Sequence, residues 1–118
     1  MTDRADRAPR AANAKATVAG DGRLAVRGEL SFDTVPDVYA QSAAWVRNAQ
    51  GPITVDLKEV ERADSAGVAL LVEWLRLASG RGGKLSFANV PEQVRSLIRV
   101  NGLTSALGVS SSGATARS

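Results

Sequence analysis

The sequence contains no cysteine and no histidine, and aromatic residues make up only 4% of its 118 residues. Without cysteine the chain has no disulfides, no thiolate nucleophile and no cysteine metal site. Without histidine it also lacks the usual general base at neutral pH and the other common zinc ligand. Most hydrolase and metalloenzyme mechanisms are therefore excluded, and we expect a protein that is not an enzyme and binds neither a metal nor a cofactor.

Long apolar stretches are absent as well. No run approaches the roughly 18 residues of a membrane-spanning helix, and the first residues lack the apolar segment of a signal peptide. Apolar and charged residues make up 44% and 23% of the chain, as in ordinary water-soluble domains. The sequence predicts one cytoplasmic domain.

The net charge of +3 does not belong to the central part of the chain. The excess of basic residues lies in residues 1–16 and at Arg117, whereas residues 17–116 hold ten basic and ten acidic side chains. A surface that neutralised several phosphates would need a basic excess. We therefore expect no direct binding to nucleic acid.

Hydrophobic periodicity predicts a hairpin followed by alternating helices and strands, an order typical of an α/β sandwich with a mixed, mostly parallel sheet and helices packed on it. The domain is predicted over residues 17–108, with disordered segments at 1–16 and 109–118. The predicted elements are a hairpin over 17–26, helices over 34–48, 65–79 and 91–101, and strands over 53–57 and 85–87.

Two segments have the composition of a chemical site. Asp56, Glu59, Glu61 and Asp64 are predicted in the connection before the second helix, where they could bind a divalent cation, but carboxylates also favour such connections because water solvates them there. The latter interpretation is preferred. Residues 80–84 are glycine-rich but follow a helix and precede a strand, the reverse of a phosphate-binding loop, and predict a helix stop and turn.

The start of the second helix is more informative. Ser65 is expected at the N-cap, and Gly67 in the first turn costs about 1 kcal/mol relative to alanine, which suggests close approach of another backbone or of a partner. On a helical wheel Leu70, Trp74 and Leu77 fall away from the sector formed by Val68 and its neighbours. We therefore predict a partner-binding surface, with coverage by the first helix or by the terminal segments as the alternative. Its residues are Asp64, Ser65, Ala66, Gly67, Leu70, Trp74 and Leu77.

Four short motifs occur in an order and spacing that resembles the STAS domain family. They are residues 26–30 (VRGEL), 32–35 (FDTV), 55–57 (VDL) and, most specifically, 63–71 (ADSAGVALL). The resemblance implies a small STAS-type sandwich that acts by binding proteins.

The resemblance implies two alternative functions. The run 70–76 (LLVEWLR) is more similar to the MlaB-type subunits of phospholipid-trafficking ABC transporters, which maintain outer-membrane lipid asymmetry. In that branch the residue matching Ser65 contacts the cytoplasmic ATPase subunit. The alternative is an anti-sigma factor antagonist, in which the matching serine is phosphorylated by an anti-sigma factor kinase. Ala66 and Val68 depart from the usual antagonist motif.

Overall fold

The computed structural model describes residues 13–109. A hairpin opens the domain and leads to alternating helices and strands, as predicted. The elements are β1 (Ala14–Gly20), β2 (Arg23–Leu30), α1 (Val35–Asn48), β3 (Ile53–Ala63), α2 (Ser65–Gly80), β4 (Leu85–Ala88), α3 (Glu92–Val100) and α4 (Thr104–Leu107).

The four strands form one sheet in the order β1-β2-β3-β4. The pair β1–β2 is antiparallel, while β2–β3 and β3–β4 are parallel, which confirms the mixed, mostly parallel α/β architecture. Parallel neighbours need a crossover, and α1 and α2 supply the two crossovers.

Burial alternates along the central strands. Leu24, Val26, Val55 and Leu57 are buried under the helices, whereas Ala25 on the opposite side is exposed. The core is therefore a single layer between the sheet and the helices, and the other face of the sheet is open.

α2 occupies the middle of the helical layer. It packs beside α1 on one side and contacts α3 and α4 on the other, above β3 and β4. Within residues 13–109, none of the helices combines the length and apolarity that crossing a membrane requires.

Several predicted boundaries differ from the structure, and β2 continues to Leu30 rather than ending at residue 26. β1 begins at Ala14, before the predicted domain start at residue 17, because Ala14–Ala16 pair with Val26–Gly28 of β2. β3 continues to Ala63 rather than ending at Leu57, because its second half also pairs with β2, with register shifts after Ala25 and after Gly28 of β2. The remaining residues of the predicted disordered segments, 1–12 and 110–118, lie outside the described residues.

Candidate functional site

The side chain of Asp64 organises the turn between β3 and α2. Its carboxylate accepts hydrogen bonds from the backbone N–H groups of Ala66 (2.8 Å) and Gly67 (3.3 Å), which are otherwise unpaired at the start of α2. A third N–H, that of Phe32 in the loop after β2, donates to the same carboxylate at 3.1 Å. One side chain thus joins the β2–α1 loop to the first turn of α2.

The prediction that Ser65 caps α2 is wrong. Asp64 has the extended backbone of an N-cap residue (φ −109°, ψ −165°), and Ser65 is already the first helical residue. Ser65 is exposed, and among residues 13–109 its hydroxyl has no hydrogen-bond partner. Capping does not explain this serine, so its hydroxyl is available to a molecule outside the domain.

Gly67 is buried and faces the end of β2. A Cβ atom at this position would lie 2.8 Å from the carbonyl oxygen of Leu30, 2.8 Å from the Cβ of Ala63 and 2.9 Å from the Cβ of Leu30. The close approach expected from the sequence is therefore made by another segment of the same chain. Gly67 shapes the site from beneath and does not present a surface to a partner.

The prediction that Leu70, Trp74 and Leu77 form an exposed apolar surface is wrong. Leu70 and Trp74 are 2% and 0% exposed, and Leu77 is half-buried against the core. The indole N–H of Trp74 donates to the hydroxyl of Ser42 in α1 at 2.8 Å, and that hydroxyl donates in turn to the carbonyl of Val38. Helix α1 therefore covers Trp74.

Leu70, Trp74 and Leu77 lie next to the sector formed by Val68 and its neighbours on α2. At 100° per residue, the two sectors together form one buried arc about 180° wide. The side of α2 that faces solvent follows a different row, which we call the exposed stripe. It begins with two small residues and ends with the ion pair between Glu73 and Arg76, whose hydrogen bonds measure 2.9 and 3.0 Å and raise the pKa of Arg76. Its residues are Ser65, Ala69, Val72, Glu73 and Arg76, of which Val72 and Glu73 are half-buried.

The predicted group of carboxylates is not assembled. Asp56, Glu59 and Glu61 lie within β3 rather than in a connection, and only Asp64 belongs to the turn before α2. Among residues 13–109 no set of three histidine, cysteine, aspartate or glutamate side chains is arranged to hold a metal ion.

Asp56 has a structural role. It accepts hydrogen bonds from the Asn89 side chain, the Lys58 backbone N–H and the Arg23 guanidinium. These donors lower the pKa of Asp56 from 3.8 to about 2, the Asn89 bond contributing most. Asp56 thereby ties β2 and the end of β4 to β3, on the open side of the sheet.

These features define a small α/β domain with a mixed sheet, one open sheet face and a tightly capped helix that leaves a serine free at its start. Residues 13–109 match the family model described as "Mlab, STAS domain". The chain belongs to the STAS domain family, and the resemblance seen in its motifs is confirmed.

Sequence relatives include the intermembrane phospholipid transport system binding protein MlaB of Escherichia coli K12. The two chains are 30% identical over 80 residues, which cover 68% of this chain and 79% of that protein.

Two solved structures cover most of the chain. A chain of the Acinetobacter MlaFEDB complex, in an ATP-bound conformation, is 30% identical, with a TM-score of 0.66 over 77% of this chain and 96% of that one. An anti-sigma factor antagonist from Mycobacterium paratuberculosis has a TM-score of 0.68 over 86% and 87% of the two chains at 23% identity, which shows a shared fold.

Proposed function

We propose that the chain is a MlaB-like accessory subunit that binds the cytoplasmic ATPase subunit of a phospholipid-transport ABC transporter. Support comes from the 30% identity both to MlaB and to a chain of the MlaFEDB complex, of which this chain covers 96%. In this proposal the domain is cytoplasmic, reaches the inner face of the inner membrane only through its partner, and contributes to lipid asymmetry of the outer membrane.

The single observation that supports a contact site at this turn is the exposed hydroxyl of Ser65, unbonded within residues 13–109. The residue is exposed with an unengaged hydroxyl, at the start of a helix whose cap is already supplied by Asp64. A partner can therefore hydrogen-bond to Ser65 without disrupting any bond within residues 13–109.

The chemistry of the exposed stripe also suits a helical partner. Ser65 and Ala69 are small, so another backbone can approach α2 closely, and alanine loses no rotamer freedom on burial. Glu73 and Arg76 at the far end of the stripe provide a charged rim, as is common around protein interfaces. The proposed contact therefore runs from Asp64, Ser65 and Ala66 along the exposed stripe.

The role proposed is non-catalytic. The sequence has neither histidine nor cysteine, and Asp56, the carboxylate with a clearly lowered pKa, is held by structural hydrogen bonds. We propose that the domain acts by supporting assembly and activity of the transporter.

Affinity purification of the tagged chain from its native host, followed by mass spectrometry, tests this proposal. The proposal predicts recovery of an ABC ATPase with the wild-type chain and its loss with Ser65→Arg, which adds a long cation at the contact. Ala25→Arg is the matched control, since Ala25 is exposed on the opposite side of the sheet. Recovery of no ABC ATPase with the wild-type chain would refute the proposed function, whereas equal recovery by Ser65→Arg and wild type would refute the contact at Ser65.

A second candidate function rests on the same free hydroxyl. In an anti-sigma factor antagonist, a kinase would transfer the γ-phosphoryl group of ATP to the Ser65 oxygen, releasing ADP and the hydroxyl proton. The product would carry about −1.5 to −2 charges beside Asp64, which would repel a partner fitted to a neutral hydroxyl.

Incubation with ATP and the host's anti-sigma factor kinase separates the two functions. The antagonist function predicts a gain of one phosphate by mass spectrometry for the wild type and none for Ser65→Ala. If the chain stays unmodified and Ser65→Arg abolishes ATPase recovery, only the transporter function is supported.

A further inference from the structure

Phe32, in the loop between β2 and α1, is an aromatic side chain left in water. It is 81% exposed. The other exposed large apolar side chains of residues 13–109 are aliphatic, Val18 at 45% and Val100 at 78%, and lie on β1 and at the end of α3. Burying a phenylalanine side chain is favourable, so its exposure leaves association free energy unused.

The loop that carries Phe32 is fixed by hydrogen bonds. The hydroxyl of Thr34 accepts from the Ser31 N–H at 2.9 Å and donates to the Glu29 carbonyl at 2.7 Å. The N–H groups of Thr34 and Val35 both donate to the Ser31 carbonyl. The backbone beneath Phe32 is therefore held before any partner arrives, which lowers the entropy lost on binding.

The same loop is attached to the proposed contact site. The Phe32 N–H donates to Asp64 at 3.1 Å, and the Asp64 carboxylate also caps the first turn of α2. Phe32 and Ser65 are thus both exposed residues flanking the same carboxylate, so a partner that covers Ser65 would meet Phe32 at the edge of the same surface.

The charge beside Phe32 is negative. Asp33 and Asp37 are exposed, and neither forms an ion pair within residues 13–109. A partner surface complementary to this loop would therefore carry basic side chains around an apolar pocket.

We propose that Phe32 is an anchor residue of the interface, inserted into an apolar pocket of the ATPase subunit whose rim carries lysine or arginine side chains facing Asp33 and Asp37. This inference rests on the proposed function and adds a residue that the surface predicted from the sequence did not contain. Aromatic side chains are enriched in the buried centres of protein interfaces.

The test is calorimetric titration of the purified full chain with the purified ATPase subunit of the host's phospholipid ABC transporter. Phe32→Ala should weaken binding at least about tenfold, as truncation of an interface anchor does. The matched control Val100→Ala, which removes a similarly exposed apolar side chain from a different element, should bind within about twofold of wild type. Thermal unfolding checks that both variants remain folded.

A second titration tests the basic rim with the double variant Asp33→Lys and Asp37→Lys. Wild-type affinity should fall as the salt concentration rises from about 50 to 500 mM, whereas the double variant should bind more weakly at low salt and lose this dependence.

The outcomes separate the two proposals. Binding by Phe32→Ala equal to that of wild type would overturn the anchor while leaving the ATPase contact in place. Failure of the wild-type chain to bind the ATPase would overturn the proposed function, and with it the ATPase as the partner that receives Phe32. Retained salt dependence in the double variant would overturn the basic rim.

Discussion

Gly67→Ala tests how the first turn of α2 is packed. Alanine is the better helix former by about 1 kcal/mol, so on propensity alone the substitution should stabilise the domain. The structure opposes this, because the new Cβ would lie 2.8 Å from both the Leu30 carbonyl oxygen and the Ala63 Cβ. Ordinary contacts begin near 3.4 Å, and a backbone oxygen in the sheet cannot rotate away.

The magnitude follows from the two opposing effects. Forcing a methyl group into a filled site costs about 1–3 kcal/mol, and here the neighbouring Leu30 is 1% exposed, with no free volume to accept it. The cost lies towards the upper end because the new methyl group approaches three atoms at once. After the gain in propensity is subtracted, we expect the free energy of unfolding to fall by about 1–2 kcal/mol.

Gly80→Ala is the matched control within the same helix. A Cβ on Gly80 meets no atom within 4 Å, and its backbone has no positive φ angle, so alanine should be neutral or stabilise by up to about 1 kcal/mol. Urea unfolding followed by circular dichroism measures both variants. If Gly67→Ala were as stable as Gly80→Ala, the close packing of this turn against β2 would be refuted.

Three further predictions concern stability. Ser42→Ala should lower the free energy of unfolding in urea by about 1–3 kcal/mol, because it leaves the buried Trp74 N–H without an acceptor. A urea midpoint equal to that of wild type would contradict that hydrogen bond. Asp64→Ala should lower the free energy of unfolding by about 1–2 kcal/mol and speed hydrogen exchange of the Phe32 amide. An unchanged exchange rate would argue against a carboxylate shared between Phe32 and the start of α2. Asp56 has its pKa lowered from 3.8 to about 2, so the stability it contributes is present above pH 3.8 and is lost as pH falls towards 2. Asp56→Asn should therefore lower the free energy of unfolding by about 2 kcal/mol at pH 7, and a gap to wild type that stayed this large at pH 2 would contradict this assignment.

The order of elements and the fold class could be predicted because each helix and strand has its own hydrophobic period and clear breakers, such as Gly51-Pro52 and residues 80–83. The length of β3 could not. Its second half, from Lys58 to Arg62, is dominated by charged side chains and looks like a loop, yet it pairs with β2. Pairing with a neighbouring strand is a tertiary effect that local composition does not report.

The turn before α2 stays a predicted contact site, whereas the apolar residues predicted to extend it along the helix are largely buried. Periodicity shows which residues of α2 share a face and does not show which faces another helix covers. The pattern predicts a partner over Leu70 and Trp74, although both are buried within the domain and Trp74 bonds to Ser42 of α1. The two charged residues of α2, Glu73 and Arg76, were the available signal for the exposed side. Phe32 gave no signal, because an isolated apolar residue in a loop has no period.

We propose that the exposed stripe of α2 is the surface that binds the transporter ATPase. Ala69 lies in the middle of that stripe and contributes little to the core, so Ala69→Arg should leave the domain folded while blocking close approach of a partner. The direct measurement is the dissociation constant between purified chain and purified ATPase subunit for wild type, Ala69→Arg and the control Ala25→Arg. We expect tight binding by wild type and control and a loss of affinity of at least about a hundredfold for Ala69→Arg. Equal binding by all three proteins would contradict it.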